Sequence, residues 1–112
     1  MTKSQELSKQ WAELEFGWTE WLGDCGRNPD VDTRYQPVKD FTSPDRFFAE
    51  VVPRLEELGY FPRFRYSGKS YGWSCFMTSH LTKYPSVESE FYMNIGEVGL
   101  EAAIKAREEI GK

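Results

Sequence analysis

Between Tyr60 and Trp73 the chain reads YFPRFRYSGKSYGW, two alternating aromatic segments joined by a Ser-Gly-Lys-Ser turn. A period of two puts Tyr60, Phe64 and Tyr66 on one face of a strand and Phe61, Arg63 and Arg65 on the other. An aromatic hairpin of this kind has to bury one face. In a chain of 112 residues, helices from the remaining sequence are what is available to cover it. The return strand, about Tyr71 to Thr78, sets Trp73, Cys75 and Met77 opposite Ser74, Phe76 and Thr78. A third strand, about Val87 to Met93, carries Val87, Ser89, Phe91 and Met93 on one side and Glu88, Glu90 and Tyr92 on the other. The expectation is an antiparallel sheet of three or four strands, with a helix over part of its second face.

Three helices are predicted. Thr2 and Gln5 form a capping box, and Leu7, Trp11, Leu14, Trp18 and Trp21 recur at helical spacing, which predicts a helix over about 4–22, interrupted at Gly17 or Gly23, with its tryptophans in the core. The second, about 44–58, has Ser43 as cap, Pro44 and Asp45 in its first turn, and a buried face of Phe47, Phe48, Val51, Val52, Leu55 and Leu58. Gly59 supplies a left-handed terminator, and Pro53 is expected to kink the helix by removing a bond to the Ala49 carbonyl. The third, about 97–110, turns Leu100, Ala103, Ile104 and Ile110 inward and ends at Gly111. Residues 23–43 are rich in Gly, Pro, Asp and Asn and read as a long loop with at most a short extended piece near Tyr35 to Phe41. The aspartates of DVDTR lack the glycine and distal glutamate of a calcium loop.

The 18 aromatic residues supply enough buried area for one core, so residues 1–112 are read as a single α+β domain. Formal charge is −4, but residues 1–58 carry 7 basic and 12 acidic groups whereas 59–93 carry 4 and 2, which leaves the hairpin locally positive. Duplex nucleic acid is a poor match for a net acidic chain. No apolar run approaches the roughly 20 residues that span a bilayer. Cys25 and Cys75 have no metal-ligand spacing, so free thiols in a reducing cytoplasm are expected.

The order of these elements resembles the phage ABA sandwich family. The resemblance covers nearly the whole chain and rests on an opening helix that ends in the pair Gly17-Trp18 and on Phe41-Thr42-Ser43 before FFAEVVPRLEELGY. It continues through the hairpin FRYSGKSYGWSCF and the final helix GEVGLEAAIKA, where Ala102, Ala103 and Ala106 stand without the cysteine often found there. It implies an α-β-α sandwich and a phage or prophage origin, hence the cytoplasm of an infected or lysogenic host. It brings no catalytic residues.

Enzymatic motifs are absent from the sequence. His80 is the only histidine, and the SGKS turn lacks the upstream glycine and the following helix of a phosphate loop. No cofactor and no metal is expected. Arg63, Arg65 and Lys69 can pair with phosphate oxygens while Tyr66, Tyr71 or Trp73 stacks on a base. The more ordinary reading is that Arg63 and Arg65 pair with Glu88 and Glu90 across the sheet, because opposite charges on neighbouring strands are common stabilisers. Taken with the phage origin that the resemblance implies, the expectation is a non-catalytic phage accessory protein that counters a host defence by sequestering a small nucleotide-like signal, with a homo-oligomer completing the pocket. One alternative is an inhibitor that presents Glu13, Glu15, Glu20, Asp24, Asp30 and Asp32 to a basic host protein. Another is a small enzyme of unknown reaction.

Overall fold

Thr2 starts the first helix as its sequence dictates: its Oγ1 accepts from the Gln5 N–H at 3.2 Å, and the Gln5 side chain accepts from the Thr2 N–H at 2.9 Å. In the computed structural model, which describes residues 1–30, 34–79, 84–92 and 94–111, this helix, α1, spans Lys3–Phe16. It is shorter than the expected 4–22. Gly17 adopts φ +71°, and its N–H and that of Trp18 close back on Glu13 and Ala12. Leu7 and Trp11 are buried, but Leu14 is largely exposed, and Trp18 and Trp21 leave the helical stripe.

The following segment is a second, small sheet where a loop was expected. Strands β1 (Thr19–Leu22), β2 (Cys25–Arg27) and β3 (Tyr35–Pro37) pair antiparallel in that order. Leu22 pairs with Cys25 across Gly23 and Asp24, and Gly23 takes the positive φ that a two-residue hairpin turn needs. Gly26 lies under the Trp21 ring so closely that a Cβ would stand 2.7 Å from it. Pro37 sits at the edge, where its missing donor costs no ladder bond.

Helix α2 is built of three consecutive pieces, Pro44–Arg46, Phe47–Val51 and Val52–Glu57. The middle piece is a π-turn in which the Val52 N–H reaches the Phe47 carbonyl. It lies directly ahead of Pro53, so the widened turn and the missing donor mark the same break in the α-helical ladder. Phe47, Val51 and Leu55 are buried, whereas Phe48, expected inside, is 47% exposed. The Ser43 hydroxyl makes no cap bond; its carbonyl accepts from the Phe47 N–H at 2.8 Å. Asp40 instead orders the approach, its carboxylate taking the Thr42 N–H and hydroxyl at 3.0 and 2.5 Å. Gly59, at φ +93°, ends the segment as the sequence predicts.

The main sheet runs β4 (Tyr60–Tyr66), β5 (Trp73–Ser79), β6 (Val87–Glu88). Pairing of Phe64 with Cys75 and Pro62 with Met77 gathers Tyr60, Phe64, Cys75 and Met77 on the face that joins the core with α2 and the last helix. Exposed Arg63, Arg65 and Glu88 mark the opposite face as open where the sequence reading expects a helix over part of it. The return strand starts at Trp73, because Ser67 to Gly72 closes as a turn with two left-handed glycines, Gly68 and Gly72.

The last helix, α3, spans Ile95–Ile110. The Asn94 side chain caps it by accepting from the Gly96 and Glu97 N–H groups at 2.8 and 3.3 Å. Gly111, at φ −78°, is not the left-handed stop the sequence suggests. Gly96 and Gly99 let α3 lie against the start of α2: a Cβ would stand 1.6 Å from the Thr42 carbonyl oxygen at Gly96 and 2.6 Å from the Phe47 ring at Gly99. Helix α1 packs on α3, with Ser4 donating to Glu97 at 2.7 Å and Glu15 receiving Arg107 at 3.0 Å. The α+β class, three helices and the antiparallel three-stranded sheet agree with the sequence reading; the β1–β3 sheet is additional.

Candidate functional site

The third strand departs from its expected register, and this determines what the hairpin displays. Met77 pairs with Val87 and Phe76 with Glu88, yet Trp73 bridges Tyr92. Three residues, Ser89 to Phe91, therefore oppose two, Ser74 and Cys75, which is a bulge. An extra residue exchanges the faces beyond it. Tyr92 turns to the helices, where its hydroxyl donates to Glu101 at 2.7 Å, and Phe91, expected inside, is 41% exposed. Met93 lies outside the described residues.

Glu101 secures this segment. Its carboxylate, little exposed, also accepts from the Glu90 N–H at 2.7 Å, with Lys105 at 3.7 Å and Lys3 at 3.8 Å. Burial raises the Tyr92 hydroxyl above its ordinary pKa, and the bond to Glu101 pushes the same way. The bulge is thus pinned from the α3 side by a carboxylate with both oxygens engaged.

On the open face Arg65 lies over the Phe76 ring, 5.3 Å from its centroid, and approaches Glu88 to 3.7 Å, both ends well exposed. Cross-strand pairing therefore holds for Arg65 with Glu88. Among the described residues no carboxylate lies within salt-bridge distance of Arg63 or Lys69. Tyr71, in the turn, is 66% exposed and meets Phe91 with ring centroids 6.2 Å apart. Tyr66 and Trp73 belong to the other face: their rings meet at 5.0 Å, and Trp73 is half-buried against the core. The six residues singled out in the sequence are accordingly divided. Arg63, Arg65, Lys69 and Tyr71 remain accessible on or beside the open face, Tyr66 is exposed at the far edge, and Trp73 is withdrawn into packing. Phe91 is the member the sequence did not reveal; its signal is the bulge, which no residue pattern in 89–91 announces.

The acidic first half is less available than its composition suggests. Glu15 is nearly buried and held by Arg54 of α2 and Arg107 of α3, and Glu20 lies 2.8 Å from Arg27. Its grip on Glu15 raises the Arg54 pKa. Glu13, Asp24 and Asp30 are exposed, and Asp32 lies outside the described residues. Both cysteines are free thiols. Cys75 is fully buried in β5, and burial pushes its pKa up to about 12, which leaves it unreactive at neutral pH. Cys25, expected in a loop, opens β2. Among the described residues no group of His, Cys, Asp and Glu is arranged to hold a metal ion, and no helix is long and apolar enough to cross a membrane. His80 falls outside the described residues. No family model, no curated protein and no solved structure matches the chain.

Proposed function

We propose that this chain is a phage or prophage accessory protein that acts by binding, and that it captures a small nucleotide-like anion on the open face of its hairpin. The observation that carries this reading is the pairing of unneutralised cations with exposed rings. Arg63 and Lys69 have no acidic partner among the described residues, Arg65 holds Glu88 only at 3.7 Å, and Tyr71 and Phe91 stand exposed side by side. Guanidinium groups offer charge-assisted bonds to phosphate, and a pair of tilted rings offers a stacking surface for a base. The buried carboxylates Glu15 and Glu101 are consumed by Arg, Lys, Tyr and backbone partners, so the chemistry they contribute is structural. Sequestration of a signalling nucleotide in the host cytoplasm is the use that fits such a surface on a phage protein. The test is a thermal-shift screen against mono- and dinucleotides, since a ligand at a hundred times its Kd stabilises the folded state by about 2.7 kcal/mol. A dose-dependent rise in Tm with at least one nucleotide is expected. A flat response across the panel at millimolar concentration contradicts the proposal.

A further inference from the structure

A second site, with no lining residue from the hairpin, lies between the end of α1, the small sheet and the start of α2. There a cavity of about 370 Å³ is walled by Phe16, Trp18, Phe41 and Pro37, with Asn28, Gln36, Lys39 and Glu50 as its polar lining. The walls are braced from behind. Phe16 stacks on Phe41 with centroids 6.2 Å apart and rings 29° from parallel, and Trp18 stacks on Trp21, which itself presses on Gly26. Phe16 is 44% exposed and is therefore not needed to complete the core. The volume lies within the range of small-molecule pockets, and the lining has their usual form of apolar rings with a few polar groups.

The charge at the mouth selects among ligands. Glu50 receives Arg46 Nε at 2.9 Å, whereas Lys39 stands 3.6 Å from the same carboxylate, beyond hydrogen-bond length. Glu50 lines the cavity and Arg46 stands behind it, so two cations share one anion; the net positive charge of this cluster falls to Lys39, whose ammonium keeps its donors for a further acceptor. The Gln36 side chain makes no hydrogen bond to a described residue, which leaves its amide to read a polar ring edge. From the aromatic walls, the volume and the surplus positive charge we infer that this cavity binds a planar aromatic molecule bearing one anionic group, with the ring against Phe16 and Trp18 and the anion at Lys39. This site is separate from the hairpin and independent of its ligand.

The test uses 2-naphthoate as probe and its neutral counterpart 2-naphthamide as control, followed by the tryptophan indole N–H resonances of the full chain. The Trp18 signal is assigned from Trp18→Phe. The expected result is a saturable shift centred on Trp18. Lys39→Ala should weaken naphthoate about tenfold or more while leaving naphthamide binding unchanged, and Phe16→Ala should weaken both. Should Phe16→Ala fail to fold, Gln36→Trp, which fills the cavity from an exposed strand, must abolish binding of both probes with the fold retained. Arg63→Ala with Arg65→Ala should bind naphthoate as the parent does, so a failure here is distinct from failure at the hairpin. No saturable binding, shifts that spare Trp18, or naphthoate affinity insensitive to Lys39→Ala overturns the inference.

Discussion

Glu101 shows how a single residue can hold the Ser89 to Phe91 bulge in place. Glu101→Ala would remove the charged acceptor of the part-buried Glu90 N–H and Tyr92 hydroxyl, and hydrogen bonds to a charged group are worth about 1.5–3 kcal/mol each, less where water can replace the acceptor. The variant should lose roughly 2–4 kcal/mol in denaturant unfolding, and amide exchange across 88–92 should rise. Unchanged stability would mean that the bulge is held by other contacts. Cys75 gives a pH signature. Its folded pKa of about 12 lies above the unfolded thiol value near 9, so the neutral thiol's contribution is complete below pH 9 and is lost as pH rises from there towards 12. Cys75→Ala should flatten that alkaline decline, as read from Tm against pH. In native protein only Cys25 should react promptly with a thiol reagent, and two fast-reacting thiols would contradict the burial of Cys75.

At the scale of elements, the close approach of α2 and α3 depends on Gly99, because an added Cβ meets the Phe47 ring at 2.6–3.0 Å. Gly99→Ala should cost about 1–3 kcal/mol through forced repacking, even though alanine favours helix intrinsically. A stabilised variant would show that Phe47 yields without penalty. The elements that the sequence displays clearly are those with strong local chemistry: the Thr2/Gln5 box, Pro44 and Gly59 around α2, and the alternation of β4 and β5. Those it conceals are decided by contacts between segments. Trp18 and Trp21 continue the α1 spacing perfectly, yet Gly17 turns the chain and the Trp21 ring is used to cover Gly26. The Ser89 to Phe91 bulge leaves no mark in composition, and it moves Phe91 outward and Tyr92 inward against a plain alternation.

For the whole molecule, the core that unites α1, α2, α3 and the main sheet includes Trp11, Phe47, Val51, Leu55, Cys75 and Met77. Val51 is fully buried within it, and Val51→Asp would place an unpaired charge there at a cost of several kcal/mol, against a total stability of about 5–15 kcal/mol. Loss of cooperative melting is expected; a soluble variant melting like the parent would refute the core. Arg63 and Arg65, on the opposite, open face of the sheet, lie outside that core, so their removal is expected to leave the chain folded. The most direct measurement is therefore calorimetric titration, with the nucleotide that raises Tm most, of the parent and of the Arg63→Ala, Arg65→Ala double variant, alongside Glu88→Ala. With charge-assisted bonds worth about 1.5–3 kcal/mol each, the double variant should bind at least tenfold more weakly at nearly unchanged Tm, and Glu88→Ala, which frees Arg65, should bind as well as the parent or better. An early melt of the double variant that Glu88→Ala reproduces, or binding that survives loss of both arginines, would contradict a ligand site on this face.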